Sequence, residues 1–245
     1  MTINSQKNKE KILNNFLKSC PDLGWGDNAL SQAFIDSKIE EKFLWVIFDE
    51  PLLDLADLFI EKINQEMAAK AAKINLDEMR VSQKIRELVI TRLEINKNYR
   101  QQIKQLATFY KNSRKLYQKK SLNSAKNALT NSYKVADLMW KMAGDKSTDY
   151  NFYTKRFILG KIYLRVMAVF INDNSENLDK TIKILDSELA KVARFAKAKA
   201  ATKESLSQIG DLLGNFNNSK KEFCQKLKSN PKSFLKKLPF FRLYD

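Results

Sequence analysis

The sequence predicts an all-α protein, and three observations carry that expectation. Six Gly and four Pro in 245 residues fall far below average usage of about 7% and 5%, so long uninterrupted elements are expected. Apolar residues recur at helical spacing: Leu122, Ala125, Leu129, Tyr133, Ala136 and Trp140 step by 3, 4, 4, 3 and 4, a single apolar face that ends at a Gly144 stop. Period-two alternation, the mark of a half-buried strand, is nowhere convincing.

The elements follow in order. Three shorter helical segments are expected at Ser5 to Ser19, Asp27 to Ser37 and Ile39 to Phe48, with Gly24 and Trp25 marking the first turn and a longer helix running from Leu52. Ile85, Leu88, Val89 and Arg92 define the next helix. It is entered through Asn75, with Asp77 and Glu78 in its first turn, where acids suit the helix dipole. Beyond the Leu122–Trp140 face, Phe157 to Ile171 is apolar on nearly all sides, which marks a buried central helix. Leu178, Ile182, Leu185, Leu189 and Val192 then step by 4, 3, 4 and 3. Gly214 stops a helix, and Ser219 with Glu222 forms a capping-box signature for the last segment. The organisation expected is a helix-turn-helix-like segment at 1–74, a helical core at 75–214 and a basic tail at 215–245.

Composition narrows the chemistry. Histidine is absent, which removes the commonest general base and transition-metal ligand, so triads and zinc sites are not expected. Cys20 and Cys224 sit at opposite ends without metal-ligand spacing, as reduced thiols do. No window approaches 18 uncharged apolar residues, so no transmembrane helix is expected. The start lacks the apolar core of a signal peptide, and the expected location is the bacterial cytoplasm, peripheral on the inner face of the membrane.

The formal charge of +16 draws a protein toward phosphate, of nucleic acid or of anionic lipid; an AT-rich coding sequence produces the same lysine excess. Its distribution is more telling. Between Asp36 and Asp57, seven acids face only Lys38 and Lys42, a net charge of −5. A recognition helix there repels DNA, so no specific DNA binding is expected, although the layout of three short helices before a long one also fits a ligand-sensing repressor. Residues Ile95 to Ala136 carry ten cations and no acid, with Tyr99, Tyr110 and Tyr117 interleaved; RNA bases, lipid headgroups or plain solvent suit them. In the tail, Phe223, Leu227, Phe234 and Leu238 are spaced 4, 7 and 4 and share one face beside Leu235. Lys220, Lys221, Lys226, Lys228, Lys232, Lys236, Lys237 and Arg242 surround them, against Glu222 and Asp245. Cations flanking a narrow apolar stripe are the pattern of an interfacial segment on an anionic membrane surface; a helix docked on the core is the alternative.

Asp145 and Asp149 are the best candidates for a carboxylate pair. Asp145, however, follows a glycine stop, and Ser147, Thr148 and Asp149 are helix-capping types. No catalytic residue and no cofactor are assigned. Tyr150, Phe152 and Tyr153 open the following helix. Adjacent helical positions cannot all face one core, so at least one of Phe152 and Tyr153 is expected to be accessible, as interface anchors are; core packing of all three rings is the alternative.

The seventeen residues from Trp140 to Arg156, WKMAGDKSTDYNFYTKR, resemble the accessory protein family of ubiquinone (coenzyme Q) biosynthesis. The family pattern W-x-x-A-G-D-x-S-T-D-x-N-[WF]-Y-T-[KR]-R is met at every fixed position. MRVSQKIRELVITRLE, from Met79 to Glu94, resembles a second family helix at Arg86, Arg92, Leu93 and Glu94. The family's Phe-Pro-Gly-Gly turn is replaced by Phe48-Asp49-Glu50-Pro51, and its common Trp by Phe152. The resemblance implies a tetracycline-repressor-like helical fold and a protein without enzymatic activity, binding isoprenoid lipid or a ubiquinone precursor. It implies a pocket among the long helices, placed at Leu88, Leu129, Tyr133, Ile162 and Val166. It further implies a docking face for the di-iron demethoxyubiquinone hydroxylase at Asp149, Tyr150, Phe152, Tyr153 and Arg156, and a homodimer through the helices after Thr148 and after Glu176.

Overall fold

The computed structural model describes the backbone of residues 5–116, 118–148 and 150–201, and the side chains of 5–112, 130–148 and 152–194. Among the described residues there are nine α-helices, one 3-10 turn and no strand. They fall into two compact units that part between Phe157 and Ile158.

In the first unit, Ser5 caps α1 (Gln6–Leu23), its Oγ accepting from the Asn8 N–H. Ile12, Leu13, Phe16, Leu17 and Cys20 form the buried stripe. The helix runs four residues past the expected Ser19 and through Pro21, which has no N–H to offer the Leu17 carbonyl. Gln102 Nε2 donates to that carbonyl at 2.9 Å, and Gln105 Nε2 to the Pro21 carbonyl at 3.1 Å. Two side chains from a distant helix thus satisfy the end that proline left open. Gly24, at φ +80°, ends α1. Trp25 is buried behind it, its edge on Phe16 and its Nε1 donating to the Leu52 carbonyl at 3.1 Å.

Helix α2 (Asp27–Ser37) has the expected bounds and ends on Lys38 in the left-handed region. The third expected helix does not form as such. Ile39 to Phe48 yields a 3-10 turn (Glu41–Phe43) and a single α turn, α3 (Leu44–Ile47). Downstream, the Asp54 carboxylate accepts from the Asp49 and Glu50 N–H groups and opens α4 (Pro51–Ala71) with proline in its first turn.

Helix α5 (Val81–Lys97) is entered through Arg80, five residues later than the expected Asn75. Asn75, Asp77 and Glu78 all precede it, the two acids in a turn, and Arg80 with Gln83 forms the cap. Arg92 is buried on α5 and donates to Asn64 Oδ1 of α4 at 2.7 Å. Helices α6 (Arg100–Leu116) and α7 (Gln118–Met142) complete the unit, α1 packing on α2 and α6, and α4 on α5 and α7.

Helix α8 (Tyr150–Phe170) crosses from the first unit into the second. Leu159, Ile162, Tyr163, Val166, Met167 and Phe170 are buried, and Lys161 and Arg165 keep one exposed stripe. The second unit then turns at Asn172–Ser175 into α9 (Asp179–Ala201). Asp173, 1% exposed, accepts from the N–H and hydroxyl of both Ser175 and Thr181 at 2.6 to 3.1 Å. Burial raises its pKa, but these four donors outweigh burial and hold the carboxyl well below the usual carboxylate range. Leu178, expected on the helical face, sits before α9 at φ +56° with its side chain buried.

Candidate functional site: the α7–α8 corner

The best-organised constellation in the first unit is the corner between α7 and α8. Gly144 adopts φ +83°, and its neighbours close the helix end: Gly144 N–H bonds to the Lys141 carbonyl and Asp145 N–H to the Trp140 carbonyl. A side chain at Gly144 meets no neighbour within 4 Å, so the glycine is required by its backbone angle and not by space.

The corner is locked by charge. Arg156 is 1% exposed. Its Nε donates to Asp137 Oδ1 at 2.5 Å and its Nη1 to Asp145 Oδ2 at 2.9 Å, with a further bond to the Phe152 carbonyl at 3.0 Å. The Phe152 ring lies over the guanidinium, 3.3 Å from its centre. Asp145, 4% exposed, also accepts from Lys155 Nζ at 2.8 Å and from the Ser147 hydroxyl. Burial alone raises the Asp145 pKa, but Lys155, Ser147 and Arg156 outweigh it and hold the carboxyl well below the ordinary range. Asp137 follows the same logic, with Lys141 and Arg156 as its donors. Lys155 also stands over the Trp140 ring at 5.3 Å, while the Trp140 Nε1 is buried with no hydrogen-bond partner.

The seventeen-residue signature thereby acquires a physical reading. Trp140, Asp145, Ser147, Phe152, Lys155 and Arg156 contact one another across the turn. Arg156, expected as a contact residue, is corrected to an interior one, because two carboxylates neutralise it beneath the Phe152 ring. Asp145 is likewise more than a turn residue: it is the acceptor for two cations and a hydroxyl. Phe152 is half-buried, and Tyr153 is 46% exposed, edge-on to Phe152 at 5.1 Å. Asp149 and the Tyr150 side chain lie outside the described residues.

The other expected positions are dispersed. Leu88 is buried and Tyr133 half-buried in the first unit; Ile162 and Val166 are buried in the second; the Leu129 side chain is outside the described set. Lys220, Lys221, Phe223, Lys226, Leu227, Phe234, Leu235, Lys236, Lys237 and Leu238 also lie outside the described residues. Among the described residues no group of His, Cys, Asp and Glu is arranged to hold a metal, and no helix is long and apolar enough to cross a membrane. The segment that a DNA-binding layout would use for recognition is a 3-10 turn, Glu41–Phe43, running into the single α turn of α3.

Sequence reasoning missed Asp137. One signal was available: it is the one acid beside the apolar Tyr133–Ala136–Trp140 stripe. It also missed a cleft of 460 Å³ beside α3, bordered by Val46, Phe48, Asp49, Glu61 and Lys134.

Fold and corner together define an all-α protein whose most organised feature is a charge-locked helix corner with an aromatic lip. Over part of its length the chain is similar to the COQ9 family. The model of that family matches residues 125–196, from mid-α7 through the corner and α8 into α9. The chain is 24% identical over 214 residues to a probable mitochondrial ubiquinone biosynthesis protein coq9 of Dictyostelium discoideum, covering 85% of this chain and 66% of that protein. It is 25% identical over 210 residues to the mitochondrial ubiquinone biosynthesis protein COQ9 of Xenopus tropicalis, covering 82% and 63%. Against the COQ9 protein of Rattus norvegicus, identity rises to 36% over 77 residues, 30% of this chain and 25% of the relative. The chain thus spans just under two thirds of the first two relatives' lengths.

Proposed function

We propose that this protein is a non-enzymatic accessory factor of ubiquinone biosynthesis that binds polyprenyl quinone precursors and presents them to the di-iron demethoxyubiquinone hydroxylase. The observation that carries the reading is the corner itself. The family match runs through it, and it holds Tyr153 outward on a helix start whose charges are already paired inside. A rigid aromatic on a neutralised support binds a partner at little entropic cost. The relatives' names assign them to the same biosynthesis.

The remaining parts of the proposal follow from it. The helical fold is of the tetracycline-repressor type, and the segment 215–245 holds the protein on an anionic membrane surface. Two copies pair through α8 and α9, where Val192 leaves the apolar stripe of α9 open at 36% exposure. The test is native mass spectrometry with lipid extraction from the purified protein, joined to a binding assay with the hydroxylase. Isoprenoid lipid above background and saturable binding are expected. Absence of both from several expression hosts overturns the proposal.

A further inference from the structure

We propose that the cleft beside α3 is a docking groove, and that its occupant is the basic segment 219–245 of a second copy of this chain. Three observations point there. The first is an uncovered apolar lip. Trp45 is 71% exposed and Val46 52% exposed, Trp45 being the most exposed large apolar side chain among the described residues. Trp45 does not itself line the cleft but directly precedes Val46, which does, and an exposed tryptophan next in the chain to a cavity residue is available as an anchor. Val46 borders the 460 Å³ cleft, with Phe48 and Leu58 within it.

The second observation is charge. Asp49, Asp54, Asp57 and Glu61 border the cleft, against Lys9 and Lys134. Asp54 is occupied by backbone N–H groups, and Asp57 by Asn131 at 2.8 Å and Lys134 at 3.7 Å. Asp49 and Glu61 are exposed, Glu61 also accepting from Asn64 Nδ2 at 3.2 Å. In a chain of formal charge +16, an acidic mouth repels anionic lipid and nucleic acid and favours a cationic peptide.

The third observation is that the chain supplies such a peptide. Residues 219–245 carry the stripe Phe223, Leu227, Phe234 and Leu238 among eight cations and two acids. Both the apolar lip and the acidic mouth find their complement there. Offered by a second copy, the segment reaches the groove without constraint from its own chain. The inference rests on the proposed membrane role of this segment and deepens it: groove and membrane compete for the same side chains, so anionic lipid releases the docked segment.

The test titrates a fluorescent peptide of residues 219–245 with the full-length protein and reads anisotropy. The chain's own segment competes with the peptide and competes less in any variant that weakens the groove, so the titration is run at protein concentrations low enough that apparent affinity no longer depends on concentration. Saturable binding is expected, weakened at least tenfold in Trp45→Glu and in the double variant Asp49→Lys, Glu61→Lys. Phosphatidylglycerol vesicles are expected to displace the peptide, and a shuffled peptide of equal composition to bind at least tenfold less tightly. Binding that is absent, unchanged in both variants, or equalled by the shuffled peptide overturns the proposal. So does loss of vesicle binding by Trp45→Glu with peptide binding intact, which assigns the lip to lipid. Sedimentation of the wild type with vesicles, read separately, tests the membrane role alone. Circular dichroism and melting of the variants establish that each is folded, and exposed positions tolerate such changes.

Discussion

Replacing Arg156 with methionine tests the charge-locked corner most directly. The side chain keeps much of its volume and loses its charge. Wild-type Arg156 is 1% exposed and bonds Asp137 at 2.5 Å, Asp145 at 2.9 Å and the Phe152 carbonyl at 3.0 Å. Removing one member of a buried ion pair typically costs about 3–5 kcal/mol, because the remaining charge stays buried without its partner. Two features reduce that here. Asp145 retains Lys155 and Ser147, and Asp137 is 22% exposed and retains Lys141. The expected loss is therefore about 3 kcal/mol, near the lower limit. At about 2–4 °C per kcal/mol for a chain of this size, melting falls by roughly 6–12 °C. Urea denaturation and calorimetry measure both quantities. The paired variant Arg156→Met with Asp145→Asn removes the stranded carboxylate and is expected to recover at least about 1 kcal/mol relative to additivity. A single variant costing under about 1 kcal/mol, or a strictly additive pair, refutes the buried-lock account.

Three further outcomes are expected. The Asp145 carboxyl is held below its unfolded pKa of about 4, so its stabilisation is present above that value and is lost as pH falls toward the folded pKa. Wild type and Asp145→Asn should thus differ by a constant amount above about pH 5 and converge below about pH 4; a parallel acid limb in urea titrations would falsify the assignment. Tyr153→Ala should weaken hydroxylase binding by on the order of 2 kcal/mol with little change in melting. Phe152→Lys should instead lower melting as well, because it sets a cation against Arg156; surface plasmon resonance paired with melting curves separates the two, and unaltered binding by Tyr153→Ala removes that ring from the interface. Gln102→Ala should cost about 1–2 kcal/mol by stranding the Leu17 carbonyl. That cost should shrink in a Pro21→Ala background, where the helix supplies its own N–H; an equal cost in both backgrounds means the glutamine acts otherwise.

The helical class, the bounds of α2, the turn at Gly24 and the stop at Gly144 were legible in the chain, because each depends on residues within a turn or two of one another. So was the accessibility of one ring at the start of α8: adjacent helical positions diverge whatever surrounds them. Tertiary structure decided the rest. Ile39 to Phe48 has a helix-compatible pattern but becomes two short turns, with Asp54 capping the chain behind it. The first helix was expected to end at Ser19, yet α1 continues through Pro21, where Gln102, 85 residues beyond Leu17, bonds the open Leu17 carbonyl. Arg156, expected as a contact residue, is interior, because Asp137, 19 residues earlier, and Asp145 accept hydrogen bonds from its guanidinium across the turn. Periodicity counts neighbours within a helix; whether a charge is buried depends on which partners other elements bring to it.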